Sequence, residues 1–465
     1  MDLKNAKKKK QLFTEEDEPN FDYGFYKDAN GRIKRDYQIN IEMIFENDPN
    51  IKGKLGYNEF SYDQEILEDI DTGKNLLHKG IVNNDFEPIL MSYMEEAYKV
   101  NFVEKKVTSA VSAVCHRNKF NPVKDYLDKC HAKWDGKQRL KDIFHTFLGV
   151  EQTKVTALTT KLWFVGAVQK IYEPTKKMDF VLDLVGGQGS GKTTLLKKLA
   201  VEDIWYTDQF SDFKNKDYYS AMLRAWIVND DELVATTNSS FEEVKKFVTS
   251  TTLSFRKPYD RRLTDYPKSF VLARTTNHKE YLKDKTGERR FLPLLAHPEQ
   301  ALMHPVTDLT RAMVDLFWGE AVHWFKNGAT LELKRDEQAL LEEHRNQFVY
   351  KDEIDSAIEK YMSLKIPRDF NSFENYQKQE YVQDMLTTGT SSWGNPEVER
   401  EYIRTSDLAR EALLVDNLSN QRKIANKIKF WLENNGWEKK SKRLTESSSP
   451  VEVYFPKYTV KKPKM

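Results

Sequence analysis

Only two cysteines, Cys115 and Cys130, occur in 465 residues. That scarcity excludes a disulfide scaffold and fits a reducing compartment. Nowhere do about eighteen apolar residues run together, so no segment is expected to span a membrane. Lysines at positions 7–10 have no apolar stretch behind them, which excludes a signal peptide. No charge of one sign dominates either: 73 Lys and Arg against 72 Asp and Glu give a net charge of +1. Any nucleic-acid surface must therefore be local. No internal repeat is found. What is present, 39% hydrophobic and 31% charged residues with 26 Phe, describes a soluble, mostly helical, cytoplasmic protein of about two to four domains.

The chain divides by pattern. Residues 1–20 are charged, lack periodicity and are expected to be disordered. Residues 21–150 alternate short apolar segments with turns and predict a small mixed α/β-to-helical domain. An apolar-periodic helix follows over 153–172. The strand signals DFVLDLV, AWIVND and SFVLARTTN then alternate with helices at 193–200 and 241–249. This predicts a parallel sheet wrapped by helices over 151–330, with the amphipathic stretch 308–326 as a lid above it. Residues 331–400 read as a helical connector and linker. The final helix, helix and strand pattern of 401–465 predicts a winged-helix-like module.

Between the first strand and its helix stands GGQGSGKT, Gly186, Gly187, Gln188, Gly189, Ser190, Gly191, Lys192 and Thr193, with Thr194 next. It satisfies G-x-x-x-x-G-K-[ST] in the setting that motif requires. At ~7% glycine it would arise by chance in only a few per cent of chains this long. Glycines let backbone N–H groups turn in around phosphate, and the helix N-terminus adds positive potential. Lys192 is expected to reach the β- and γ-phosphates and Thr193 to ligate Mg²⁺, so ATP and Mg²⁺ are the implied cofactors.

A site of this kind needs a carboxylate on a neighbouring strand, and WIVNDDEL supplies Asp230, Asp231 and Glu232. We assign Asp231 to the metal shell and Glu232 to orienting or deprotonating water, with the register open by one residue. Asn277, ending the third strand, is placed to polarise that water or sense the γ-phosphate. Arg289 and Arg290 are candidates for an arginine supplied to an adjacent subunit's site. Adjacent residues on an extended segment point opposite ways, so one of the two serves.

Beyond the common motif, four stretches carry a resemblance: NPVKDYLDKCHAKWDG, FEEVKKFVTSTTLSFRKPYDR, TTNHKEYLKDKTGERRFLPL and LFWGEAVHWFK. From about residue 36 to 350 the chain resembles the virulence-associated protein E family of phages and mobile genetic islands. The resemblance implies an α/β fold with a P-loop NTPase core of AAA+ or superfamily 3 type. It also implies a replicative DNA helicase or replication initiator assembled as a homo-oligomeric, hexameric ring. One departure is Asn229, near which relatives are expected to carry Glu.

A ring on DNA needs basic residues on its inner loops. SFRKPYDRRLTDYPK places Arg256, Lys257, Arg261, Arg262 and Lys268 around Phe255, Tyr259 and Tyr266. A hairpin there is expected to enter the channel, with Arg256, Lys257, Arg261 and Arg262 as DNA-binding residues; a subunit interface is the other reading. In the C-terminal module Arg422, Lys423, Lys427 and Lys429, then Lys439, Lys440, Lys442 and Arg443, suit either origin duplex or a protein surface. The pairs Cys115-His116 and Cys130-His131 lack usual zinc spacing and read as core cysteines. The expected function is an ATP-dependent helicase on single-stranded or forked DNA. An initiator using ATP as an assembly switch is the alternative, with a primase or other replication protein as a further partner left open.

Overall fold

The computed structural model describes residues 23–257, 262–282, 288–350, 353–415, 421–443 and 449–457. The stretch 1–20, Tyr259 and Arg261 lie outside them. The chain falls into two units, one ending at Phe348 and one beginning at Val349.

In the first unit five parallel strands form the centre. They are β3 (Val181–Val185), β4 (Tyr206–Thr207), β5 (Ile227–Asp230), β8 (Val271–Thr276) and β9 (Phe291–Leu295), in the spatial order β9-β3-β8-β5-β4. Both faces are covered, which is why the strands read as continuous apolar runs. Leu182, Leu184, Ile227 and Ala273 face one core; Val181, Val185, Val228 and Leu272 face the other.

Helix α1 (Lys154–Tyr172), capped by the Thr153 hydroxyl, lies on the first face with α2 (Lys192–Ala200) and α4 (Arg311–Lys326). Three tryptophans pin this layer, each burying its ring and satisfying its indole N–H. Trp163 donates to Leu272 O at 3.0 Å, Trp226 to Ala167 O at 3.1 Å and Trp318 to Leu199 O at 2.9 Å. Helix α4 is therefore a core element and not the lid expected of 308–326, because Phe317, Trp318 and Ala321 are buried beneath the sheet.

Across the second face runs α3 (Phe241–Thr249), started by a Ser240/Glu243 capping box. It leads into an antiparallel hairpin, β6 (Thr252–Phe255) and β7 (Thr264–Pro267).

The N-terminal region has its own core, from Phe25 to Cys115, around the helices Gln38–Asn47 and Glu104–Arg117 and a hairpin of β1 (Leu55–Asn58) and β2 (Asp63–Ile66). That core ends well before the expected break at 150. Helix Pro122–Lys133 already belongs to the main core, through Val123, Leu127 and Cys130, and Tyr126 hydrogen-bonds Asp315 of α4 at 2.7 Å. Cys115 and Cys130 thus sit in two different cores, where burial pushes their thiols up to about 12 and about 11.

Lys268, expected among the exposed basic residues, is instead 3% exposed. Its ammonium donates to Phe247 O at 2.7 Å, at the end of α3, and sits 4.7 Å from the Phe247 ring. Burial, with Lys170 nearby, brings it down to about 7. Between pH 7 and the ordinary lysine range the unfolded chain holds a proton that the folded chain does not, so stability rises with pH across that window. Lys268→Met is expected to flatten most of that slope in unfolding curves taken between pH 7 and about 9.5. Lys170, lowered to about 8 by burial, adds to the same slope. An unaltered slope in the variant would reject this assignment.

In the second unit α5 (Thr405–Leu413), α6 (Arg422–Asn434) and the antiparallel pair β10 (Trp437–Lys442) and β11 (Val451–Pro456) share one core with the helices Glu353–Ser363 and Asn375–Thr387. Those last two helices supply Ile358, Tyr361, Tyr381 and Val382 to it. They are part of the terminal module and not the connector expected over 331–400. The helix Arg335–Arg345 belongs to the first unit, where Leu341 packs with Leu162 and Leu292. No helix among the described residues is long and apolar enough to cross a membrane.

Candidate active site

Parallel strands end together, and the side chains at their C-terminal ends converge on the glycine loop between β3 and α2. The loop has little freedom at two of its glycines. Gly191 lies at φ +82°, and a Cβ there would come within 2.7 Å of Pro305; one on Gly186 would come within 2.9 Å of Ala296. Gly187 and Gly189 face open space instead. Lys192 is buried and folds back over the loop, donating to Gly186 O at 2.6 Å, Gly187 O at 3.0 Å and Ser190 Oγ at 3.1 Å. Burial lowers its ammonium below the usual lysine range, opposed by the charges of Glu232 and Asp231.

Strand β8 places Asn277 between two charged groups. Its Oδ1 accepts from Lys192 Nζ at 3.2 Å and its Nδ2 donates to Glu232 Oε1 at 2.9 Å. The two partners leave the amide one orientation, oxygen to the ammonium and nitrogen to the carboxylate. Glu232 reaches this position through a strained turn: Glu232 and the following Leu233 take φ of 52° and 56°, a left-handed conformation that non-glycine residues rarely adopt.

The three consecutive acids separate by the pleat. Asp230 turns to the second face and is enclosed, accepting from Ala235 N at 2.8 Å, Thr236 N at 2.9 Å and Thr236 Oγ1 at 2.6 Å. Burial raises its carboxyl despite these bonds. Asp231 turns toward the loop, where Oδ1 accepts from Thr193 Oγ1 at 3.0 Å, Thr275 Oγ1 at 2.6 Å and Asn229 Nδ2 at 3.2 Å. Asn229 in turn donates to Tyr206 OH at 3.0 Å. Thr275 and Tyr206 were not singled out by sequence, and Asn229 was noted only as a departure, without a role. For Thr275 the signal was strand alternation, which puts it on the Asp231 side; Tyr206 had none, since only sheet order sets β4 beside β5.

The residues fit a magnesium nucleotide. An ammonium, a threonine hydroxyl and a carboxylate surround a loop with open space at Gly187 and Gly189. Among the described residues no group of three or more His, Cys, Asp or Glu could hold a metal by itself. A Mg²⁺ that takes phosphate oxygens and waters needs only one or two protein ligands. Thr193 and Asp231 would hold it and Lys192 the phosphates.

Arg289 and Arg290 lie elsewhere. They precede β9, whose Phe291 pairs with Val181 at the start of β3, so they stand at the opposite strand ends from the glycine loop. At 3.3 Å per residue that is roughly 20 Å away. There they line a pocket with Phe180, Leu333 and Arg345.

On the hairpin, Arg256 and Arg262 are exposed. Lys257 is not offered to a ligand: its ammonium is taken up by Ser61 O, Tyr62 O and Asp63. Phe255 and Tyr266 are 2% and 8% exposed and pack into the second core, so neither presents a ring for stacking.

Residues 127–350, which carry this whole constellation, match the family model described as the virulence-associated protein E-like domain. No curated protein matches the chain. Among solved structures, the apo structure of NrS-1 C terminal region aligns at 10% identity and a TM-score of 0.41, covering 86% of this chain and 95% of that one. The A form apo structure of NrS-1 C terminal region-CTR aligns at 12% and 0.40, covering 86% and 96%. Within residues 127–350 the glycine loop, the acidic turn and the Asn277 strand end are contiguous in space although spread over some ninety residues of chain.

Proposed function

We propose that the chain is an ATP-dependent DNA helicase of a phage or mobile genetic element, acting in DNA replication as an oligomeric ring on single-stranded or forked DNA. The observation that carries this reading is the bridge Lys192–Asn277–Glu232 beside the Thr193–Asp231 pair. The strand order β9-β3-β8-β5-β4, with the loop after β3, between β9 and β8, supports a P-loop NTPase core of AAA+ or superfamily 3 type.

In this reading Lys192 leaves the loop carbonyls for the phosphates, and Asn277 follows it. Glu232, held by the Asn277 amide, orients a water and accepts its proton. Mg²⁺ held by Thr193 and Asp231 would supply charge neutralisation. Arg289 and Arg290 are too far to act on their own chain's loop, so either serves only a neighbouring copy, which is the reason for proposing a ring, hexameric by family resemblance. Arg256 and Arg262 meet DNA phosphates at the hairpin tip.

The test is strand displacement on forked DNA with ATP, wild type beside Lys192→Ala. Displacement by the wild type, lost by at least about a hundredfold in the variant, is the expected result. One observation favours the initiator as second reading. Ile403 pairs with Tyr454 of β11, so α5 and α6 lie between a short strand and the β10–β11 hairpin, the connectivity of a winged helix. Hydrolysis without displacement, together with duplex binding through α6, would favour it.

A further inference from the structure

Both ends of the basic hairpin are tied to one short turn of the N-terminal region. Between β1 and β2 the chain reverses over Glu59–Tyr62, and Asn58 builds the reversal. Its Oδ1 accepts from Phe60 N at 2.9 Å and Ser61 N at 3.3 Å, and its carbonyl accepts from Tyr62 N at 2.8 Å. Tyr62 is held at φ 59°, a conformation that persists in a non-glycine residue only when its surroundings impose it.

This turn presents a row of acceptors to the hairpin. Phe60 O accepts from Ser269 Oγ at 3.1 Å, just past the end of β7. Ser61 O, Tyr62 O and Asp63 Oδ1 accept from Lys257 Nζ at 3.2, 2.7 and 2.8 Å, just past the end of β6. An ammonium has three protons, and these acceptors take all of them. Tyr62 OH donates to Pro267 O at 3.0 Å, with its ring 5.4 Å from that of Tyr266. The second Asp63 oxygen accepts from Arg224 Nε at 2.9 Å. Burial pushes the Asp63 carboxyl up, but Arg224 and Lys257 outweigh it and hold it below the usual range. The hairpin is thus gripped at its base, through Pro267 and Ser269, and past the far end of β6, through Lys257, while Arg256 and Arg262 stay exposed.

We infer that the Phe60–Asp63 turn is the positioning element of the basic hairpin, with Asp63 the residue that fixes how Arg256 and Arg262 meet DNA. This rests on the DNA-motor reading above. Without the carboxylate, Arg224 and Lys257 face each other as like charges, and the hairpin loses the group that neutralises both. The N-terminal region then acts on DNA through the hairpin it steadies, without touching DNA at this turn.

The experiment uses the full chain as wild type, Asp63→Asn and Asp63→Glu. It reads basal ATP hydrolysis, the oligothymidylate concentration for half-maximal stimulation, and amide hydrogen exchange over 252–257 and 262–267. For Asp63→Asn, basal kcat and KM are expected to stay within about twofold of wild type. Half-stimulation should need about tenfold more DNA, and hairpin exchange should quicken by about tenfold or more. Asp63→Glu should recover much of both. An Asp63→Asn chain with wild-type DNA response and wild-type hairpin exchange overturns the inference, as does one whose basal hydrolysis falls as far as its DNA response. If the wild type itself ignores DNA, the motor reading fails separately. Hairpin exchange then decides: loosening in Asp63→Asn sustains the positioning role, and its absence ends it.

Discussion

Exchanging Glu232 for glutamine is expected to slow ATP hydrolysis by about 10²–10⁴-fold and to leave nucleotide affinity within about threefold of wild type. Glutamine keeps the shape of the side chain and the acceptor for Asn277 Nδ2, now 2.9 Å from Glu232 Oε1. The tether to Lys192 through Asn277 Oδ1 therefore survives. What is lost is the anionic charge proposed to orient a water and take its proton. Because the turn at Glu232 and Leu233 is already left-handed in the native chain, the isosteric exchange adds no new strain. Single-turnover hydrolysis beside equilibrium binding of the nucleotide checks this. Turnover near the wild-type rate would remove Glu232 from the chemistry and return the choice to Asp231. Loss of binding together with turnover would instead mark it as a residue that holds the loop.

The largest loss of stability is expected from Arg274→Ala. Asp230, Arg274 and Asp183 stand in register across β5, β8 and β3, all facing the second core. Asp183 is 1% exposed and Arg274 4%. The guanidinium bonds Asp183 Oδ1 through Nε at 2.7 Å and lies 3.6 Å from the centre of the Phe291 ring. Burial works against its charge, and Asp183 more than restores it, so Arg274 is held above its ordinary value. Removing it leaves the Asp183 carboxylate buried in the sheet core beside the Tyr281 OH that donates to it. Breaking one side of such a pair costs about 3–5 kcal/mol. The double exchange Arg274→Leu with Asp183→Leu should regain much of that, since the Asp183 charge is no longer stranded and Asp230 keeps its bonds from Ala235 and Thr236. Denaturant unfolding of the three chains measures it. A single exchange costing under about 1 kcal/mol would mean that water reaches the pair.

What was legible along the chain was chemistry carried by consecutive residues. The glycine loop, with Lys192 and Thr193, is one uninterrupted motif between a strand and a helix, and its backbone requirements are local. Asn277 announced itself as a polar end to an apolar strand. The acids were harder, because three in a row carry no record of which faces the loop. The pleat decided it: Asp230 shares a face with Arg274, while Asp231 meets Thr193 and Thr275.

Charge was the least legible property. Arg256, Lys257, Arg262 and Lys268 look alike in sequence, yet the structure exposes the two arginines and enclosed acceptors take the two lysines. The carboxylate that occupies Lys257 comes from Asp63, 194 residues earlier. By itself the sequence determined the glycine-loop motif, the alternation of strands and helices, and the set of candidate charges. Only the tertiary structure decided sheet order, which sets Tyr206 beside Asn229, and which charges already have partners. A motif needs only its neighbours along the chain, whereas a partner depends on which distant strands come to lie side by side.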